Sequence, residues 1–199
     1  MPPVDHLLAG WRPRRSVLVA LAPPVVAIAL LADTSSPCQQ TAYRPELVEA
    51  ELVERFTEFI DWPADRLTDA DGPFVLGLLG RNEVGPAIEK LAHERLFKNH
   101  RVEVRRLEGP DGAEACHAIW IGGSAEPQLA AVLARTSGKP ILTLGDTEGF
   151  AQRGVLINLR RDSSRISFEI NLDEARKSGL KFSSRLLALG KIVAAQGRP

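Results

Sequence analysis

Lys139–Leu180 reads KPILTLGDTEGFAQRGVLINLRRDSSRISFEINLDEARKSGL. Pro140–Leu144 is a short apolar run of the kind that forms a strand buried on both faces. Val155–Leu159 and Arg165–Ile170 are two alternating runs joined by the polar Arg160–Ser164, the spacing of an antiparallel hairpin at one edge of a sheet. Asn171 or Asp173 then caps a short helix that Gly179 ends. Three strands thus fall within forty-two residues, and no catalytic or metal-ligating motif lies between them.

Working back toward the N-terminus, strand and helix signals alternate. Phe74–Leu79 is a continuous apolar run after Asp71-Gly72-Pro73, and Gly80-Arg81-Asn82 forms the turn that follows it. Asn82 caps a helix over Glu83–His93, with Pro86 tolerated in its first turn. Arg101–Leu107 alternates as a more exposed strand, and His117–Gly122 is again a buried one. Ala125–Arg135 has helical spacing that Gly138-Lys139-Pro140 stops. This order predicts an α/β fold: a mostly parallel sheet with helices on both faces and an antiparallel C-terminal hairpin.

Two further helices flank this region. From Glu46 the apolar residues Val48, Leu52, Phe56, Phe59 and Ile60 form one stripe, with Glu49, Glu51, Glu54 and Glu58 on the water side. Pro63 ends that helix, which leaves Trp62 as a lid over Phe56 and Phe59. Ser183–Ala194 reads as a last helix packed through Leu186, Leu187, Leu189, Ile192 and Val193.

Residues 1–32 read as an export signal. Three arginines in Trp11–Arg15 precede sixteen uncharged residues, Val17–Ala32, broken by Pro23-Pro24, which is a signal-peptide pattern rather than a spanning helix. The expected organisation is a signal peptide over 1–32, a flexible linker over 33–45 and one α/β domain over 46–195. The mature protein then starts near Asp33 in the periplasm. Cleavage takes three arginines and Asp5 from 25 basic and 25 acidic side chains, leaving 22 and 24 and a net charge of −2. No basic face results, so nucleic acid is not an expected partner.

Functional motifs are sparse. Gly77, Gly80 and Gly85 follow a strand, but they lack the G-x-G-x-x-G spacing, and no Walker lysine follows them. His93, His100 and His117 do not share metal-ligand spacing, and Cys116 and His117 point to opposite faces of a strand. Ser124, Ser183 and Ser184 lack a nucleophile-elbow context. No catalytic residue, metal site or cofactor is therefore assigned. Of the two cysteines, Cys38 lies in a Thr/Ser/Pro/Gln segment and Cys116 reads as a half-buried thiol at a strand start. The turn Asp146-Thr147-Glu148-Gly149-Phe150 follows the carboxyl end of a buried strand, where open α/β sheets place ligand and partner contacts. Asp146 either caps that turn or takes part in recognition, and Phe150 is either core or anchor.

The ordered set FTEFIDWP (Phe56–Pro63), Phe74–Gly80, Cys116-His117, LTLGDTEGF (Leu142–Phe150), GVLIN (Gly154–Asn158), FEINL (Phe168–Leu172) and Ser183-Ser184-Arg185-Leu186 resembles the YfiR-like family of small exported bacterial proteins. The resemblance spans Glu46–Val193. It implies an exported α/β domain, often a homodimer, that acts by binding. In the family's best-understood member the partner is the periplasmic domain of a membrane diguanylate cyclase, which it represses, limiting biofilm formation. Comparable members carry further cysteines that pair as disulfides, and here only Cys116 stands at a comparable place. On this reading Asp146, Glu148, Phe150, Lys181 and Arg185 are the candidate partner or ligand residues, and Phe56, Phe59, Trp62 and Asn171 are structural. The alternative is a periplasmic small-molecule sensor or carrier using the sheet's carboxyl edge.

Overall fold

The computed structural model describes residues 44–67, 72–162 and 165–194. The expected signal peptide, Cys38 and most of the linker lie outside them. Among the described residues no helix is long and apolar enough to cross a membrane.

Seven strands form the main sheet. In chain order they are β2 (Phe74–Leu79), β3 (Val102–Leu107), β4 (Ala118–Ile121), β5 (Leu142–Gly145), β6 (Ile157–Arg161), β7 (Ile166–Asn171) and β9 (Lys191–Val193). Their spatial order is β3-β2-β4-β5-β6-β7-β9. All neighbours run parallel except the hairpin β6–β7, which pairs Ile157 with Ile170 and Arg161 with Ile166. The protein is thus α/β with a mostly parallel sheet. A separate two-stranded ribbon joins β1 (Ile60–Asp61) to β8 (Lys181–Phe182).

The continuous apolar run of β2 follows from burial on both sides. Phe74, Leu76 and Leu78 face a core shared with helices α1 (Pro45–Glu58) and α2 (Gly85–Glu94). Val75 and Leu79 face a second core, built with α3 (Leu129–Thr136). The short helices α4 (Leu172–Ser178) and α5 (Ser184–Leu189) contribute Ala175 and Leu186 to the first core. Asn171 accepts the Glu174 N–H at 3.0 Å to start α4, and Gly179 ends it in the left-handed region at φ 77°.

Several expectations change. Helix α1 stops at Glu58 rather than at Pro63: Phe59 N–H closes on the Phe56 carbonyl, and Ile60–Asp61 is drawn into the ribbon with β8. Its buried stripe is also rotated. Leu47 and Val48 are exposed, while Glu49 and Glu54 are buried, because Arg161 and Arg95 reach in to pair with them. The last helix does not run from Ser183 to Ala194. It ends at Leu189, and Gly190 then lies so close to β7 that a Cβ would stand 2.6 Å from both Phe168 and Ile170. The chain continues as β9, so this strand and not the hairpin forms the sheet edge, leaving Leu189 and Ile192 exposed. Cys116 is fully buried rather than half-buried, with Sγ 3.6 Å from the Gly112 carbonyl oxygen.

The amino edge of the sheet is closed by polar contacts to main-chain groups. Trp62 is buried, its ring edge-on to Phe74, and its indole N–H donates to the His117 carbonyl at 3.3 Å. His117 stacks on Phe74, accepts the Val75 N–H at Nδ1 (2.9 Å) and therefore carries its proton on Nε2, 3.1 Å from the Arg66 carbonyl oxygen. Burial, with Arg66, His100 and Arg105 nearby, lowers its pKa from the usual 6.5, so the folded protein holds the imidazole neutral. The unfolded chain takes up a proton first as the pH falls, so stability is full above pH 6.5 and declines below it. Urea midpoints should fall between about pH 7 and about pH 5. His117→Asn, which keeps an acceptor for Val75 but does not titrate, should lack this part of the decline.

Candidate functional site

The strand order places a topological switch between β2 and β4: the chain leaves β2 for β3 on one side and returns to β4 on the other. The loops beyond the carboxyl ends of these strands diverge, which is where open α/β sheets hold ligands. A shallow cleft of about 450 Å³ lies there. Arg81, Asn82 and Glu83 line it from the turn after β2, and Gly123 and Ser124 from the turn after β4. Asp146 and Thr147 follow β5, and Arg161 ends β6.

Close backbone contact builds this edge. Gly80 turns at φ 74°, and a Cβ on Gly122 would stand 2.7 Å from the Arg81 carbonyl oxygen, so the first two loops touch through main chain. Ser124 Oγ accepts the Arg81 N–H at 2.6 Å. Asn82 Oδ1 accepts the Gly85 N–H, tying the first loop to the start of α2. Asn158 on β6 is buried and donates to the Thr147 carbonyl at 2.9 Å, which holds the third loop down.

Arg161 dominates the electrostatics. Its Nε and Nη2 donate to the two carboxylate oxygens of Glu49 at 3.0 and 2.8 Å, and Nη1 reaches Glu83 at 3.4 Å. The Glu49 side chain is completely buried, whereas those of Arg161 and Glu83 are 37% and 81% exposed. The hydrogen bonds that Arg161 donates to Glu49 raise its pKa above the ordinary value, so the guanidinium stays charged. Burial pushes the Asp146 carboxyl up, against hydrogen bonding from Thr147 and attraction from Arg161. Arg81 makes no ion pair among the described residues.

The expected site residues do not form one surface. Asp146 is half-buried in the cleft wall. Glu148 is exposed and pairs with Arg160 at 3.1 Å, beside a second hollow that also contains Lys191. Phe150 is fully buried beneath the turn and presents nothing to a partner, a correction to its assignment as a contact. Lys181 and Arg185 are exposed, but Lys181 lies on β8 in the ribbon with β1. That ribbon leads into Trp62, which is anchored at His117 just before β4, so it borders the amino edge, opposite Asp146. Phe56 is buried edge-on to Phe168, and Phe59 is half-buried. Sequence reasoning missed Glu49, Arg81 and Arg161 as site residues. Glu49 read as a solvated helix face and Arg161 as part of a hairpin linker.

Among the described residues no group of three or more His, Cys, Asp or Glu side chains is placed to hold a metal ion. What the edge offers is a preoriented guanidinium, a second with no ion pair among the described residues, two hydroxyls and an amide, which suits binding.

The YfiR/HmsC-like family model matches residues 46–191, and the chain belongs to that family. Among solved structures, it is similar to a conserved domain protein from Vibrio cholerae O1 biovar El Tor, with TM-score 0.54 and 10% identity over 74% of this chain. It spans 60% of that protein's length, and the likeness is one of fold. Two weaker likenesses, both at TM-score 0.49, are to an ABC domain in complex with L-Trp from Streptococcus pneumonia and to the substrate-binding protein CD0873 from Clostridium difficile. They have 13% and 9% identity, cover 75% and 73% of this chain, and are spanned over 60% and 58% of their own lengths.

The Glu49–Arg161 pair can be tested by itself. Breaking a buried pair from one side costs about 3–5 kcal/mol, and water reaching the exposed part of Arg161 lowers this to about 2–3 kcal/mol for Arg161→Ala. In urea melts, the double variant Glu49→Ala/Arg161→Ala should lose clearly less than the two single losses added together. Additive losses would mean that the two side chains do not act as a pair.

Proposed function

We propose that this protein is a periplasmic repressor of a membrane diguanylate cyclase, acting by binding the cyclase's periplasmic domain. Membership of the YfiR/HmsC-like family over residues 46–191 carries this reading. The chemistry of the chain agrees with it. The carboxyl edge offers ion pairs and hydrogen-bonding groups in an open cleft, and the residues lining it include no histidine or cysteine to serve as base or thiol nucleophile. Such a surface is suited to binding. The arginine-flanked apolar segment before residue 33 supplies the route to the periplasm.

Repression requires discrimination. A binder with equal affinity for the active and inactive cyclase shifts nothing, so the contact surface must fit the inactive arrangement better. A mature net charge of −2 gives weak long-range steering, which leaves shape and local pairing to set the preference. A second reading, a periplasmic small-molecule sensor, is favoured by one observation, the cleft at the switch point.

Deleting the gene should raise cellular cyclic di-GMP and surface attachment, and deleting the cyclase as well should abolish the rise. Unchanged cyclic di-GMP in the single deletion, with no envelope partner recovered by cross-linking, would rule out repression.

A further inference from the structure

We propose that the cleft between the β2, β4 and β5 turns is a binding site for a small molecule carrying a carboxylate or phosphate group, held between Arg161 and Arg81. This rests on the sensor reading of the cleft and is independent of whether the partner is a cyclase.

Arg161 is the main reason. Glu49, with no exposed surface, takes two of its N–H groups at 3.0 and 2.8 Å and fixes the plane of the guanidinium. Among the described residues the remaining nitrogen, Nη1, pairs with Glu83 alone, at 3.4 Å through a side chain that is 81% exposed, and both residues line the cleft. A buried carboxylate that orients an arginine while leaving one of its edges toward an open cleft is a preorganised oxyanion binder. The ordering cost is met in folding, and a weak rim contact is all that has to be displaced.

The rest of the cleft fits the same ligand. Arg81 has no ionic partner among the described residues and supplies a second cation. Ser124, Thr147 and Asn82 also line the cleft; Thr147 Oγ1 and Asn82 Nδ2 are held only by long hydrogen bonds, to Asp146 at 3.4 Å and to the Gly80 carbonyl at 3.3 Å, among the described residues. Gly123 lets the second turn pass close to the third: a Cβ there would stand 2.9 Å from Thr147 Oγ1. The volume, about 450 Å³, suits a metabolite-sized molecule rather than a peptide.

Two acidic groups oppose an anion, and both can yield. Glu83 is at the rim and can swing into water. Asp146 faces Arg161 from β6, Glu83 from the first turn and the Thr147 hydroxyl, and burial already favours its neutral form. Once protonated, it can donate a hydrogen bond to the ligand's oxygen. Binding is therefore linked to proton uptake at Asp146 and tightens as the pH falls.

The test is isothermal titration calorimetry of the full mature chain at constant ionic strength, with inorganic phosphate in one arm and malonate in the other. At least one should bind saturably, and the comparison decides between phosphate-bearing and carboxylate-bearing ligands. Arg81→Ala, at an exposed position that should leave the melting temperature unchanged, should weaken binding about tenfold. Glu83→Gln, which removes the competitor at Arg161, should strengthen it, and Asp146→Asn should remove the acid-side tightening. Absence of saturable binding of both probes, or affinity undiminished in a folded Arg81→Ala protein, overturns the proposal. Binding in a strain where gene deletion leaves cyclic di-GMP unchanged would keep the site and discard only the repressor reading.

Discussion

Glu49 lies on the first helix with no exposed surface, and its carboxylate meets the guanidinium at the end of β6, 112 residues later. A carboxylate in that position is tolerable only while it is paired and hydrogen-bonded. The register of α1 on the sheet, the burial of Val53 and Phe56 below it, and the exposure of Leu47 and Val48 above it all accord with that requirement. So does the orientation of Arg161 toward the carboxyl edge. A second pair, Glu54 with Arg95 at 2.7 Å, fastens the same helix to the end of α2. The helical layer is thus located by two specific polar contacts as well as by apolar packing.

The consequence for function is one of coupling. The residue that secures α1 also lines the cleft, so a charge arriving in the cleft is felt by a side chain that the helix depends on. Any such ligand competes first with the exposed Glu83 and not with Glu49, which makes binding feasible without unfolding the helix. At the opposite edge Trp62, Arg66 and His117 tie the start of β2 and β4 to the segment after α1 through main-chain carbonyls and the Val75 N–H. The two edges therefore differ in kind: one is closed by hydrogen bonds to main-chain groups, the other left open and lined by ion-paired side chains.

Much of this fold was legible because local rules and tertiary context agree. The apolar run Phe74–Leu79 is a doubly buried strand, the alternating pair around Arg160–Ser164 is a hairpin, and Asn171 starts a helix that Gly179 stops. Where reading failed, long-range contacts override the local pattern. Helical spacing in Ser183–Ala194 is real, but Gly190 must fit against Phe168 and Ile170, and the β-branched Ile192-Val193 is captured by the edge of β7. Glu49 looked like a solvated face because nothing nearby in sequence shows that an arginine 112 residues away will cover it. The site suffered most from this. Asp146 and the turn around it could be found from strand-end logic, whereas Arg161, Arg81 and Glu49 meet only through the strand order. Phe150 illustrates the converse: the sequence leaves it as either core or anchor, and the second core that encloses it decides for core.

The central claim is that Glu49–Arg161 locates α1 on the sheet and holds Arg161 ready at the cleft. Native-state hydrogen exchange on Arg161→Ala tests it most directly, because it separates local release of a helix from general destabilisation. The expected result is faster exchange of the amides from Glu49 to Phe56 by roughly thirty-fold or more, equivalent to about 2 kcal/mol, with the amides of β2, β4 and β5 changing far less. Unchanged protection in α1, or an equal loss across α1 and the central strands, would contradict the account.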